Sequence, residues 1–253
     1  MKEIYNSLVI AFAMYSKIPM PHADWSEKNK KYVMVFFPLV GAVIGGFFLL
    51  WSFFEEFAGL NEILTTAGFV LIPLLVTGGI HMDGLMDTAD ALASCQPVSK
   101  KLEILKDPHA GAFAVMTCVG YILILFGLYF EMTKTSIYIL AIGFILSRAL
   151  SGLAVVSFPL AKNSGLAAMF QKESDKKIAK AGCIILTLLC MILMVLVHSI
   201  AGAFCIMGAF FAYVYYYRMS KKEFGGITGD LAGYFLQICE LVMAVAVLIA
   251  EKV

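Results

Sequence analysis

The sequence predicts an all-α protein: a polytopic integral membrane helix bundle of about seven transmembrane helices, preceded by an N-terminal amphipathic or partly inserted helix. Three observations carry this. Of 253 residues, 61% are hydrophobic and 15% charged, whereas soluble domains run at about half and about a quarter. Seven apolar runs are long enough to cross a bilayer, near residues 33–54, 60–80, 110–130, 136–158, 181–199, 201–217 and 232–250. Lysine and arginine also collect on one side: the N-terminal segment and alternate loops hold sixteen, from Lys2 through Lys106 and Lys180 to Lys222. The opposite side holds Lys134 and Lys252, and Arg148 lies within a run. A miscounted span would scramble that bias, so it supports the seven runs as well as the direction. It predicts a multi-pass protein of the cell (cytoplasmic) membrane, N-terminus in and C-terminus out.

Taken in order, residues 1–21 alternate apolar and polar too irregularly to span, and the prolines at 19 and 21 end that segment. A polar loop, His22–Lys31, follows, so 1–32 reads as an interfacial segment. It lacks a small-residue cleavage site and is expected to be retained. The sixth run is short, and its break from the fifth, around His198–Gly202, is tight. Six cysteines without a C-x-x-C pair, mostly inside apolar runs, read as buried thiols. A net charge of +1 argues against nucleic acid as a partner. The whole chain, 1–253, reads as one transmembrane catalytic domain, with active-site loops at 78–109 and 218–231 on the cytoplasmic side.

Within the first of these loops, Asp83, Asp87 and Asp90 stand at i, i+4 and i+7. On a helix they fall within roughly 60° of one face. At about 6 Å apart and an effective dielectric near 20, each ionised pair repels by roughly 3 kcal/mol. At a membrane boundary such a face calls for cations or protons, and Mg²⁺ suits it because it takes carboxylate oxygens and leaves positions open for phosphate. Gly78 and Gly79 precede the face, and His81 is expected to orient it rather than bind Mg²⁺. Lys106 can neutralise phosphate and Asp107 can ligate metal, although lysine snorkelling at the interface explains the pattern equally well.

Gly225-Gly226-Ile227-Thr228-Gly229-Asp230 opens the last run, where a glycine-rich helix start can present N–H groups to an anion. The pattern Gly-Gly-Ile-x-x-Asp occurs at both 78–83 and 225–230, and we expect both turns to face one site. Arg148 and Glu240 lie inside runs, where a charge costs roughly 2.5–3.5 kcal/mol and is usually paired or functional. Arg148 is a candidate for holding substrate phosphate; a structural pair with Glu240 is the alternative.

These residues resemble the cobalamin synthase family, the adenosylcobinamide-GDP ribazoletransferases. The resemblance runs through Ile18-Pro19-Met20-Pro21, Phe37-Pro38-Leu39-Val40-Gly41, the Gly-Gly-x-His-x-Asp-Gly-x-x-Asp-Thr-x-Asp block at 78–90, Leu102–Asp107, Ser147-Arg148 and 225–230. His109, Gln237 and Ala91 depart from residues common in the family. The resemblance implies attack by a hydroxyl of α-ribazole or its 5′-phosphate on adenosylcobinamide-GDP, with release of GMP. It implies Asp83 and Asp87 as Mg²⁺ ligands, Asp90 as ligand or base, and Asp107 and Asp230 in support. Lys106 and Arg148 would balance phosphate charge. Gly78, Gly79, His81, Gly225, Gly226, Thr228 and Gly229 would line the substrate. Beyond these substrates and the lipid bilayer, other late corrinoid enzymes are the implied partners. Two rivals stand beside it. A CDP-alcohol phosphotransferase would carry Ala-Arg where Asp87-Thr88 stands. A membrane transporter would scatter its ionisable residues through the bilayer depth.

Overall fold

A computed structural model describes residues 2–253. Its helices in chain order are α1 (Lys2–Tyr15), α2 (Glu27–Lys30), α3 (Val33–Ala58), α4 (Glu62–Thr77), α5 (Ile80–Ala93), α6 (Val98–Ile104), α7 (Ala112–Phe130), α8 (Lys134–Val155), α9 (Leu166–Glu173), α10 (Lys176–Val197), α11 (Ser199–Phe224) and α12 (Gly229–Lys252). The described residues hold no strand, only an isolated bridge between Leu160 and Ile227.

Six helices (α3, α7, α8, α10, α11 and α12) are long and apolar enough to cross a membrane. The second apolar run becomes α4, whose 16 residues reach about 24 Å at 1.5 Å per residue, slightly short of a hydrocarbon core of about 30 Å. Joined with α5 it would make a seventh, broken span, but the two meet at 93°. At that bend, set by Gly78 and Gly79, α5 turns away from α4 and carries the aspartate face.

Small residues set the central packing. A Cβ at Gly41 of α3 would fall 2.1 Å from the Phe144 carbonyl oxygen of α8, and one at Gly45 2.3 Å from that of Ala141. Only glycine admits backbones this close, which is how helices gain contact when lipid offers no hydrophobic drive to associate. Phe48 then joins the layers, its ring centroid 5.0 Å from Phe69, 5.7 Å from Tyr129 and 4.7 Å from Phe144. Pro38 cannot donate to the Met34 carbonyl one turn back, and Cys183 of α10 donates its thiol to that oxygen at 3.5 Å. The tight break before the sixth run is one residue long. His198 is extended at φ −158°, ψ 117°, and its Nδ1 accepts from the Ala201 N–H that opens α11.

The N-terminal segment forms α1, buried along Val9, Ile10 and Ala11. The Ser7 hydroxyl donates to the Asn29 carbonyl at 2.6 Å, which docks α1 on α2. Two short helices, α6 and α9, were not expected. They are tied down by partly buried ion pairs, Lys101–Glu223 at 2.6 Å and Lys30–Glu173 at 2.8 Å.

Arg148 corrects one expectation. It is fully buried in α8, and its Nη1 donates to Glu240 at 2.8 Å, to the Phe144 carbonyl at 3.0 Å and to Ser147 at 3.3 Å. The guanidinium is therefore the partner of Glu240 within the bundle rather than a phosphate ligand, because its charge is already met by a buried carboxylate.

Candidate active site

The aspartate face is built where α5 crosses the first turn of α12. A Cβ at Gly84 would fall 2.5 Å from the Asp230 carbonyl oxygen and 3.2 Å from the Gly233 Cα. Glycine at 84 thus lets the helix carrying Asp83 lie directly on the start of the helix carrying Asp230. Both carboxylates line one cavity, as does Gly229. Of the two Gly-Gly-Ile-x-x-Asp segments, the aspartates reach this cavity and the paired glycines do not line it.

Asp87, one turn on, is half-buried. Burial, followed by the charges of Asp83, Asp230 and Asp90, pushes its carboxyl up from 3.8 to about 6. No lysine or arginine stands within ion-pair distance of Asp83, Asp87 or Asp230 among the described residues. Nor do any three histidine, cysteine or acidic side chains close into a ready metal group there.

Asp90 has a different task. Its Oδ2 accepts from the Gly111 N–H at 2.6 Å and its Oδ1 from the Ala114 N–H at 2.9 Å, so it caps α7 from a distance. A Cβ at Gly111 would sit 2.7 Å from those oxygens. Backbone donors engage both oxygens, so Asp90 has a structural task at the start of α7, and it does not line the cavity of Asp83 and Asp230. Asp107 lies in the exposed turn before α7, where the His109 backbone N–H and ring nitrogen hold its carboxyl below the usual range. Its recorded partner is His109, not the other carboxylates. Lys106 beside it is exposed and free of ion pairs among the described residues.

The glycine turns also differ from expectation. Gly78 and Gly79 have φ of 65° and 79°, and Gly225 and Gly226 of 76° and 155°. Their N–H groups are spent. Gly78 and Gly79 donate to Leu74, Gly225 to Lys221, and Gly226 to Ser220. Each pair ends the helix before it, in the left-handed conformation that glycine allows. Thr228 is buried and caps α12 by accepting from the Leu231 N–H. The first residues of α5 and α12, among them Ile80, His81, Gly229 and Asp230, line the cavity in place of the glycine pairs.

His81 is 4% exposed and its Nε2 is buried without a partner. Burial, then the charge of Arg148, drives its imidazole towards the neutral form. Sequence reasoning missed the rest of the cavity wall, above all Tyr15, Phe37 and Phe170. They come from three separate helices, and aromatics inside apolar runs carry no mark of a site.

The family described as cobalamin-5-phosphate synthase matches residues 7–248. An adenosylcobinamide-GDP ribazoletransferase of Lachnoclostridium phytofermentans is 47% identical over 248 residues, covering 98% of this chain and 95% of the relative. Proteins of the same name from Clostridium botulinum and Clostridium perfringens are 31% and 32% identical, over 96% and 95% of this chain and 96% of each relative. No solved structure matches. With a match running from α1 to α12 and through both aspartate-bearing turns, this chain belongs to the cobalamin-5-phosphate synthase family.

Proposed function

We propose that the chain transfers the adenosylcobinamide-phosphate group of adenosylcobinamide-GDP to a hydroxyl of α-ribazole or α-ribazole 5′-phosphate. The observation that carries this reading is the meeting of Asp83 and Asp230 on one cavity beside the half-buried Asp87. The acceptor oxygen forms a bond to the cobinamide-side phosphorus. The phosphoanhydride bond breaks, its electron pair leaves with GMP, and the hydroxyl proton passes to a carboxylate. Such a transfer needs chiefly positioning and charge neutralisation.

Asp83, Asp87 and Asp230 offer only oxygen donors, carry no paired cation and repel one another, which fits a hard divalent ion such as Mg²⁺. Asp83 and Asp87, one turn apart on α5, would hold it. When bound, that ion supplies charge neutralisation at the diphosphate. Asp230, facing Asp83 across the cavity, is placed to take the hydroxyl proton, since Asp90 is committed to α7. The first turns of α5 and α12 turn their positive ends towards the same spot and favour the diphosphate. Lys106 and Asp107 are exposed in the turn before α7, where their charges are free to meet anionic substrate and metal.

The sixteen lysines and arginines on the motif side support a cytoplasmic active site in the cytoplasmic membrane, with the N-terminus inside and the C-terminus outside. The experiment is acceptor-dependent GMP release by purified protein in liposomes with adenosylcobinamide-GDP and Mg²⁺. GMP that appears only with α-ribazole or its phosphate, together with a corrinoid product of matching mass, is expected. GMP released without acceptor, or none from folded protein, refutes the reading.

A further inference from the structure

The cavity that Asp83 and Asp230 line has a volume of about 230 Å³ and lies between α1, α3, α5, α8, α9 and α12. Part of its wall is an aromatic cluster. The Tyr15 ring lies 4.3 Å from that of Phe37 and 6.2 Å from those of Phe170 and His81, and Phe37 lies 6.1 Å from His81. One polar atom in this wall is unmet: Nε2 of His81, buried and unpartnered. Of the eight such buried atoms among the described residues, it alone belongs to a residue lining this cavity, and a buried polar atom without a partner calls for an explanation.

We propose that this cavity seats the planar base of the acceptor nucleoside against this aromatic cluster, with His81 Nε2 donating to the base's free ring nitrogen. The inference rests on the transfer reaction proposed above and assigns one of its planar groups to a place. The corrin macrocycle is excluded by size, because sites for drug-sized ligands already span roughly 300–1,000 Å³. Guanine would bring an edge of several donors and acceptors into walls that are largely apolar, and unpaired groups there are costly. A benzimidazole linked to ribose has one free ring nitrogen and otherwise apolar edges, which matches one buried donor among aromatic rings. Seated there, the base directs its ribose towards Asp83 and Asp230 at the opening, where the hydroxyl must react.

The first test needs no substitution. In liposomes, free benzimidazole should inhibit GMP release competitively against α-ribazole phosphate and not against adenosylcobinamide-GDP. Competition against the donor instead would assign the cavity to guanine and overturn the proposal. Tyr15→Leu and Phe170→Leu, which keep apolar bulk, should raise the acceptor KM by roughly 5- to 150-fold, as loss of base–aromatic stacking does. The donor KM should stay unchanged. His81→Phe should remove the preference for benzimidazole riboside over an acceptor whose base lacks the ring nitrogen, while His81→Gln, which retains an N–H donor, should keep part of it.

Titration of the purified protein with α-ribazole, followed by benzimidazole fluorescence, separates the two ideas. Binding weakened by Tyr15→Leu supports the cavity even where turnover is absent and the transfer reading fails. Binding indifferent to Tyr15→Leu, Phe170→Leu and His81→Phe in folded protein overturns the cavity assignment while leaving turnover to be judged on its own.

Discussion

Breaking the Arg148–Glu240 pair distinguishes a structural arginine from a phosphate ligand. Arg148 is fully buried and Glu240 is 6% exposed, with 2.8 Å between Nη1 and the carboxylate. Removing one partner of a buried pair costs about 3–5 kcal/mol, because it strands the other charge. The two single substitutions are not equivalent. After Arg148→Met, Glu240 keeps the Ser147 hydroxyl at 3.1 Å and can relieve its charge by taking a proton, so the cost belongs near the lower end. After Glu240→Leu the guanidinium cannot shed its proton and belongs near the upper end. At roughly 2–4 °C per kcal/mol for a chain of this size, the Tm should fall by about 6–20 °C, with Glu240→Leu the worse. The double variant Arg148→Met/Glu240→Leu should recover most of the loss and keep GMP release within about tenfold of wild type. Thermal unfolding in detergent, beside turnover in liposomes, reads both quantities. An Arg148→Met protein with unchanged Tm and no turnover would refute the structural assignment and return Arg148 to the phosphates.

Four further outcomes follow from the site. Asp87 has its carboxyl raised from 3.8 to about 6, so below pH 6 Mg²⁺ must displace its proton: the half-saturating Mg²⁺ concentration should rise as pH falls from 7 to 5, and Asp87→Asn should flatten that dependence. The same raised value means that metal-free folded protein binds the proton more tightly than the unfolded chain, so its stability should decline as pH climbs through 6, a trend that Mg²⁺ should cancel in thermal melts. Gly84→Ala places a Cβ 2.5 Å from the Asp230 carbonyl; overpacking should cost about 1–3 kcal/mol of stability, and parting Asp83 from Asp230 should lower kcat on the order of 100-fold, measured in the liposome assay. Asp90→Asn, which preserves one acceptor for α7, should lower stability by about 1 kcal/mol and retain measurable turnover; wild-type stability with no turnover would restore Asp90 as the base.

The fold was legible because its signals are long. Apolar runs and a sixteen-to-two charge bias survive errors of a few residues, and the one-residue break at His198 fell within the expected stretch. Shorter elements were not legible: α6 and α9 have 7 and 8 residues and are fixed by Lys101–Glu223 and Lys30–Glu173, pairs 122 and 143 positions apart that no local pattern reveals. The site was half legible. The spacing of Asp83 and Asp87 and the echo at Asp230 pointed to one cluster; Asp83 and Asp230 line one cavity, and Asp87 feels the charge of both. The glycine pairs misled, since a helix-ending glycine and a phosphate-cradling glycine look alike until the N–H partners are seen. Asp90 shared the helix face of Asp83 yet serves a backbone 21 residues away. Tyr15, Phe37 and Phe170 were invisible because only tertiary packing brings them together.

The most direct measurement is single-turnover GMP release by Asp83→Asn beside wild-type protein, both in liposomes with saturating adenosylcobinamide-GDP, α-ribazole phosphate and Mg²⁺. Asparagine keeps the size of the side chain and the packing of Gly84 on α12 but removes the charge at the cavity mouth. The rate should fall by roughly 100-fold or more, the scale on which loss of one transition-state charge contact acts, with Tm unchanged and a higher Mg²⁺ requirement. An Asp83→Asn protein that releases GMP at the wild-type rate would contradict a metal–diphosphate site at the crossing of α5 and α12.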